Sequence, residues 1–228
     1  TFSVNCGAAL AARGRKVLLV DADAGMRALD LMLSVTRSVI YDLSDVLTGR
    51  CEPVKAIIET PVEGLSLLPA PQIVSSELVE PEGMQRLCRG LTHYYDYVLI
   101  DSPAGIGSGA ETAAAGADKA LVVATPDPVC IRDADRIASI LLNRGYGQLR
   151  LVINRVNPKL IRKKTKTDLD AVIDNAAIQL IGVVPEDERV SVASFSGTTV
   201  VSFKKGAAVA YKNIAARLMG EDVPLMKL

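Results

Sequence analysis

The sequence is short of the residues that most metal and redox sites use. It has a single histidine, His93, and its four cysteines form no C-x-x-C pair. These counts exclude a histidine-based metal site and any Ser/His/Asp triad without His93, and they leave a zinc site or a redox motif without local support. We expect the cysteines to be reduced thiols, and His93 to have a capping or packing role.

Net charge and long apolar runs are also missing. Lys plus Arg (26) equals Asp plus Glu (26), so no global basic field favours nucleic acid as a partner. No apolar run approaches the roughly 18 residues of a membrane-spanning helix, and no charged-then-apolar leader opens the sequence. We therefore expect a soluble protein that is not exported.

What the sequence does contain is an alternation of strand and helix patterns. Its 228 residues are 49% hydrophobic and 23% charged, which suits a folded chain. Buried-strand patterns occur at 16–21, 65–69, 97–101, 120–125, 151–154 and 181–184. Helical patterns occur at 4–12, 39–47, 83–91, 110–115, 133–143, 168–176 and 207–218. The alternation predicts one α/β domain over 1–228, with a mostly parallel sheet and helices on both faces.

Acidic residues lie at the ends of two of the predicted strands. Asp21 ends the first strand and Asp23 follows it, and Asp101 ends the third strand. Ligands of such sheets bind outside the carboxyl ends of the strands, and Mg²⁺ uses one or two carboxylates together with substrate phosphates. Each acid alone could also be a helix cap or a turn residue. Their joint placement favours a magnesium site.

A second motif, GIGSGA at 105–110, matches the G-x-G-x-x-G/A pattern of dinucleotide-binding turns. That fingerprint opens immediately after a strand, whereas residues 101–104 intervene here. A nicotinamide or flavin site is therefore the weaker interpretation.

Six segments together resemble a known family. In order they are KVLLVDADAGMRALDL, YDYVLIDSPAGI, ADKALVVATP, IRDADRI, LVINRVNP and GVVPEDERV. They closely resemble the MinD family of septum site-determining ATPases, in the deviant P-loop class that also contains the ParA partition ATPases. The resemblance implies a P-loop NTPase-like fold, ATP and Mg²⁺ as ligands, and a cell-division ATPase that positions the septum by nucleotide-dependent dimerisation and membrane attachment.

The resemblance also implies roles for individual residues. Asp23 would orient or activate the water that attacks the γ-phosphate, and Asp21 and Asp101 would hold Mg²⁺ through its water shell, which makes Asp101 part of the catalytic set. Asn154 would hydrogen-bond the adenine, and Gly105 would let a second switch respond to the γ-phosphate. The residues implied to bind the nucleotide are Thr1, Gly105, Asn154, Pro185, Glu186 and Asp187.

Partners and location follow from the same resemblance. It implies a homodimer with ATP, binding to the division-inhibitor and topology or activator proteins of the Min system, and attachment to the inner membrane surface through a C-terminal helix beyond these residues. The location would be cytoplasmic and peripheral on the inner face of the cell membrane, with no nucleic acid bound. Arg27 would belong to a partner face or be a solvated charge, and Ala28 stands where the family commonly has asparagine.

The family's phosphate loop, with its signature lysine and G-K-T-T ending, is absent from these residues. Thr1 matches the second threonine of that motif, so we expect the first strand and the loop to lie upstream, and the sequence to be an N-terminally truncated P-loop ATPase domain. The parent protein would be an ATPase, whereas these residues alone would not hydrolyse ATP. Two alternatives stay open: a ParA-like partition or flagellar-number ATPase, for which RKKTK at 162–166 is the candidate DNA-facing patch, and a non-catalytic interaction module.

Overall fold

The computed structural model describes residues 1–24, 26–71, 80–105, 107–157 and 178–226. The chain forms two compact units. Unit 1 comprises Thr1–Ala117 and Arg189–Val201, and unit 2 comprises Asp118–Glu188 and Ser202–Leu228. The prediction of one domain over 1–228 stays a prediction.

Strands and helices alternate along most of the chain. The strands are β1 (Val17–Asp21), β2 (Ile58–Glu59), β3 (Leu65–Leu68), β4 (Tyr97–Asp101), β5 (Ala120–Ala124), β6 (Leu149–Val156) and β7 (Leu180–Pro185). The α-helices are α1 (Phe2–Ala11), α2 (Leu29–Met32), α3 (Leu43–Leu47), α4 (Pro53–Ala56), α5 (Pro81–Leu91), α6 (Ser108–Ala115), α7 (Pro128–Asn143), α8 (Glu188–Phe195) and α9 (Ala207–Leu218). Short 3₁₀ turns lie at Thr36–Ser38 and Val200–Ser202.

The sheet of unit 1 has the order β2-β3-β1-β4. Strand β1 pairs in parallel with β3 on one side and β4 on the other, while β2 pairs antiparallel with β3. All five residues of β1 are buried, as expected for a central parallel strand covered on both faces. The register places Asp21 opposite Asp101, so the two acids end neighbouring strands.

Helices cover both faces of this sheet. On one face lies α1, where Gly7 approaches so closely that an added Cβ would lie 3.0 Å from side-chain carbons of Leu19 and Leu65. Residues of α5 pack on the other face, where Met84 joins a core cluster with Leu18 and other buried side chains. Unit 1 therefore confirms the predicted layered α/β architecture.

A buried asparagine connects the start of unit 1 to its last segment. Asn5 is 2% exposed in α1, and its Oδ1 accepts a hydrogen bond from the Val200 N–H at 3.0 Å. Its Nδ2 donates to the carbonyl of Thr1 at 3.1 Å. Both polar ends of the amide are thus satisfied, as burial requires.

Unit 2 is built on the parallel sheet β5-β6-β7. Helix α7 contributes Ile131 and Ala134 to a core cluster with β5 and β6 residues. Helix α9 packs against β7, and Arg217 donates from Nη1 to the carbonyl of Ile181 at 2.7 Å. The same guanidinium donates from Nε to the carbonyl of Val223 and from Nη2 to that of Pro224, at 2.9 and 2.7 Å. Arg217 thereby joins the chain after α9 to β7.

Gly182 is required where α9 lies on β7, and its replacement is a direct test of this packing. An added Cβ would lie 2.3 Å from Cγ1 of Ile214, which is fully buried. We expect Gly182→Ala to lower the free energy of unfolding by about 2 kcal/mol, measured by urea denaturation. The control Gly147→Ala, where nothing lies within 4 Å of the added Cβ, should change it by less than about 0.5 kcal/mol. Equal effects of the two changes would contradict the packing.

The six predicted strands are confirmed, whereas the helix predictions need corrections. The helix expected over 39–47 begins only at Leu43, because Asp42 caps it by accepting from the backbone N–H groups of Ser44 and Asp45. Helix α7 begins at Pro128, five residues before the predicted 133. Strand β2 and helices α2, α4 and α8 were not predicted, and the helix expected over 168–176 falls outside the described residues. In the part of the chain that the structure describes, no helix is long and apolar enough to cross a membrane.

Candidate functional site

Two carboxylates stand side by side at the carboxyl ends of β1 and β4. Asp21 is 2% exposed, and Asp101 is its register partner. The Ser3 hydroxyl, in the first turn of α1, donates a hydrogen bond to Oδ1 of Asp101. Thr1 is exposed and directly precedes α1. The start of α1 and both strand ends therefore meet at one place.

The Asp21 carboxylate is tied to the chain that follows it. Its Oδ1 accepts the N–H of Asp23 and its Oδ2 accepts the N–H of Leu29, both at 3.2 Å. Burial nevertheless raises the pKa of Asp21 to about 6; the two backbone hydrogen bonds lower it, and the charges of Asp101 and Asp23 raise it further. A buried acid beside a second acid is a site where a cation stabilises the charged form.

This raised pKa predicts a pH dependence of stability. The folded protein holds the Asp21 proton more tightly than the unfolded chain does. The contribution of Asp21 to the free energy of unfolding therefore decreases as the pH rises from about 4 to about 6, and it is constant above that pH. In metal-free protein, the wild type should lose up to about 3 kcal/mol relative to Asp21→Asn over that interval, measured by urea denaturation at successive pH values. Asp118→Asn, at an exposed carboxylate, is the control. A constant difference between wild type and Asp21→Asn would contradict the prediction.

Asp23 and Gly105 lie in the loops that leave these strand ends. Asp23 is half-buried, two residues past β1, and its carbonyl accepts the N–H of Met26 at 3.3 Å. Gly105 has a φ of 90°, and an added Cβ would meet nothing within 4 Å. That left-handed conformation favours glycine in a loop with room to move. Residues 102–104 separate Gly105 from the end of β4, and α6 begins only at Ser108. The glycine motif therefore does not directly follow the strand, which disfavours the dinucleotide-binding alternative.

The donor set fits Mg²⁺. Among the described residues no three histidine, cysteine, aspartate or glutamate side chains come together as a metal site, so a complete protein cage for a soft or tightly coordinated ion is not formed there. Two carboxylates, Asp21 and Asp101, with a hydroxyl beside them are what Mg²⁺ uses when phosphate and water oxygens complete its shell.

Comparison with known proteins agrees with this geometry. Residues 1–200 match the family described as the CobQ/CobB/MinD/ParA nucleotide binding domain. The chain belongs to the MinD/ParA family. MinD/ParA proteins with solved structures include ATPases, and the predicted P-loop NTPase-like fold is confirmed.

Within the MinD/ParA family, the similarity is to septum site-determining proteins. The chain is 40% identical over 232 residues to MinD of Bacillus subtilis, covering 100% of this chain and 87% of that protein. It is similar to MinD in the MinC:MinD complex of Aquifex aeolicus, with a TM-score of 0.90, 34% identity, and coverage of 99% and 92% of the two chains. MinD of Pyrococcus horikoshii, complexed with Mg-ADP, gives a TM-score of 0.84 and 30% identity over 95% and 88%. The predicted resemblance to MinD is confirmed.

The remaining predicted site residues of this MinD/ParA chain lie in unit 2. Asn154 is half-buried in β6, at a bulge where the pairing with β7 shifts between Ile153 and Val156. Its neighbour Arg155 has a φ of 56°, and bulges of this kind re-aim side chains beside binding sites. Pro185 pairs with Val156 across the bulge.

The acids after β7 have different partners. Glu186 receives contacts from Arg155 at 3.5 Å and from Asn157 at 3.4 Å, and its N–H donates to the Val156 carbonyl at 2.8 Å. The side chain of Asp187 accepts the Ala207 N–H at 3.0 Å and so caps α9. Asn154, Pro185 and Glu186 thus share one end of the β6–β7 pair, while the carboxylate of Asp187 serves the fold.

Sequence reasoning missed Ser3, and for Arg27 the solvated-charge alternative was wrong while the partner-face alternative stays a prediction. Ser3 and Asn5 are polar positions in a ten-residue helix with eight buried residues, a signal that could have marked both. Arg27, expected at the surface, has a side chain only 20% exposed and forms an ion pair with Asp30. The basic stretch at 162–166 lies outside the described residues.

Proposed function

We propose that this protein is an ATP-hydrolysing switch that places the division septum, and that it binds Mg-ATP at the strand ends carrying Asp21 and Asp101. The observation that carries the proposal is the register pairing of these two acids at neighbouring parallel strand ends, with the Ser3 hydroxyl on Asp101. The Mg-ADP complex of the Pyrococcus horikoshii relative supports a nucleotide and Mg²⁺ as ligands.

Each residue of the site has a distinct task. Asp21 and Asp101 would hold Mg²⁺ through its water shell, and Ser3 keeps the Asp101 carboxylate in one orientation by donating to it. Bound Mg²⁺ supplies positive charge that offsets the negative charge of the phosphates. Asp23, placed by its N–H bond to Asp21, accepts a hydrogen bond from the attacking water and so orients it. Thr1 would contact the phosphates, and Gly105, with its left-handed φ of 90°, would let the loop after β4 respond to them.

Asn154, in β6, stays the residue predicted to hydrogen-bond adenine. The amide of Asn154 carries both a donor and an acceptor, the combination needed to read the edge of adenine. The backbone at Pro185, Glu186 and Asp187 lies at the same end of the sheet and would add further hydrogen bonds.

Partners and location complete the proposal. Two copies would associate when ATP is bound, and the dimer would attach to the inner face of the cell membrane from the cytoplasm. We expect division-inhibitor and topology or activator proteins of the Min system as partners. The MinC:MinD complex of Aquifex aeolicus supports a partner from that system.

The direct test uses the full-length gene product with Mg²⁺. We expect ATP to bind in a Mg²⁺-dependent manner, phosphate to be released, and the ATP form to sediment with anionic lipid vesicles as a dimer. Binding without hydrolysis in the presence of partner and vesicles would favour the non-catalytic interaction module. DNA retention at physiological salt would favour the partition ATPase. No nucleotide binding would overturn the proposal.

A further inference from the structure

An ion pair lies in the loop between β1 and α2, outside the set of residues given tasks above. Nη2 of Arg27 is 2.6 Å from Oδ2 of Asp30, and the two side chains are 20% and 4% exposed. The second carboxylate oxygen of Asp30 accepts the N–H of Leu31 at 2.8 Å. Both oxygens of the buried acid are therefore engaged, one of them by the arginine.

The backbone around this ion pair is strained. Arg27 has a φ of 35° and Ser34 a φ of 57°, both in the left-handed region that residues other than glycine seldom adopt. Helix α2 is bracketed by these two residues. Ser34 is also packed so closely on Gly197 that an added Cβ there would lie 1.8 Å from the serine Oγ. Such conformations persist only where the surroundings hold them, and they cluster in switches and at active sites.

The strained loop is connected directly to the site. The N–H groups of Asp23 and Leu29 donate to the two oxygens of Asp21, and Arg27 lies between these donors in the chain. The conformation at Arg27 therefore sets whether both N–H groups can reach the one carboxylate. Asp23 and Leu29 share the Asp21 carboxylate through these two N–H groups.

We propose that the Arg27–Asp30 ion pair is a positioning device that holds the backbone at Arg27 in its strained conformation, keeps the Leu29 N–H on Asp21, and thereby helps present Asp23 to the attacking water. The expected effect on hydrolysis rests on the proposed ATPase function, whereas the positioning itself rests on the geometry around Arg27. Arg27 acts through Asp23 and does not touch the substrate. Loss of either partner leaves the other buried without its counter-charge, so the loop abandons the strained form.

A double-mutant cycle tests the device in the full-length protein. The variants are Arg27→Met, Asp30→Asn and the two together, with Arg27→Lys as the conservative replacement. In nucleotide-free protein we expect amide hydrogen exchange at Asp23 and Leu29 to be about 10-fold faster in each single variant, with no further increase in the double variant. If Arg27→Met does not fold, Arg27→Gln, which keeps a donor for Asp30, replaces it.

Turnover provides the second measurement. We expect kcat for ATP hydrolysis to fall about 10-fold in each single variant and equally in the double variant, with KM within about 2-fold and with Arg27→Lys recovering most of the loss. Arg50→Met is the matched control, because Arg50 is 3.1 Å from Asp45 in an ion pair whose arginine is 64% exposed. It should leave exchange at Asp23 unchanged.

Each contrary result has a definite meaning. Unchanged exchange at Asp23 and Leu29 in the single variants overturns the positioning device, whether or not the protein hydrolyses ATP. If the losses of kcat multiply in the double variant, Arg27 acts on the substrate independently of Asp30. If kcat falls only in the presence of a partner protein, Arg27 contacts that partner. Either result overturns the proposal. Absence of turnover in the wild type overturns the proposed function. Amide hydrogen exchange at Asp23 and Leu29 then remains the test of the positioning device.

Discussion

Asp23→Ala should abolish ATP turnover while leaving nucleotide binding nearly intact. Asp23 stands two residues beyond β1 and is held there by its N–H bond to Asp21, which the alanine variant retains. The carboxylate that orients the water is removed, and positioned acid–base groups contribute about 100- to 10,000-fold. We expect kcat to fall within that range and the dissociation constant for Mg-ATP to change by less than about 3-fold. Phosphate release and titration with a fluorescent ATP analogue provide the two values.

The control for this change is Asp133→Ala, at an exposed acid of α7 with a side chain 58% exposed. It should retain wild-type turnover of the isolated protein. If Asp23→Ala hydrolyses ATP at the wild-type rate, a group other than Asp23 orients the attacking water. Loss of nucleotide binding in the same variant would show that Asp23 holds the ligand.

Asp101→Asn should remove the Mg²⁺ dependence of nucleotide binding. The asparagine keeps an acceptor for the Ser3 hydroxyl and retains the shape of the strand end, so the fold should persist. The substitution removes the negative charge of one of the two carboxylates that would hold the metal. We expect the affinity gained on adding Mg²⁺ to disappear and kcat to fall by at least about 100-fold, as expected when several kcal/mol of metal-ion stabilisation are lost.

The other end of the same strand supplies the control. Asp96 directly precedes β4, is exposed, and accepts the Lys16 N–H at 2.8 Å. Asp96→Asn keeps that acceptor and should leave Mg²⁺-dependent binding and turnover at wild-type values. A wild-type response to Mg²⁺ in Asp101→Asn would remove Asp101 from the metal site.

The central features of the site were predictable from short patterns. Strand β1 is a continuous apolar run, and parallel strands end at the same edge of a sheet, so Asp21 and Asp101 could be placed together before the register was seen. The edge strand β2 could not be predicted, because its two residues, Ile58 and Glu59, carry no periodic pattern. The start of α3 was misplaced because the cap at Asp42 outweighs the apolar residues before it.

Long-range and strained contacts were beyond sequence reasoning. Arg27 has a positive φ that no local residue preference indicates, and its side chain is only 20% exposed beside Asp30, so neither feature could be predicted from the sequence. The bulge at Asn154 arises from a register shift between β6 and β7, which the sequence of either strand alone does not contain. Ser3 acquires its role only when α1 lies against the end of β4.

The hydrogen bond between Asn5 and Val200 has a consequence for the biosynthesis of the protein. The two residues are 195 positions apart, and the segment Arg189–Val201 is part of unit 1. At about 5–20 residues per second, a ribosome delivers that segment several seconds after Ala117 has been made. During this interval Oδ1 of Asn5 lacks the hydrogen bond that the Val200 N–H later donates. Unit 1 is therefore completed only after the residues of unit 2 that precede Arg189 have been made.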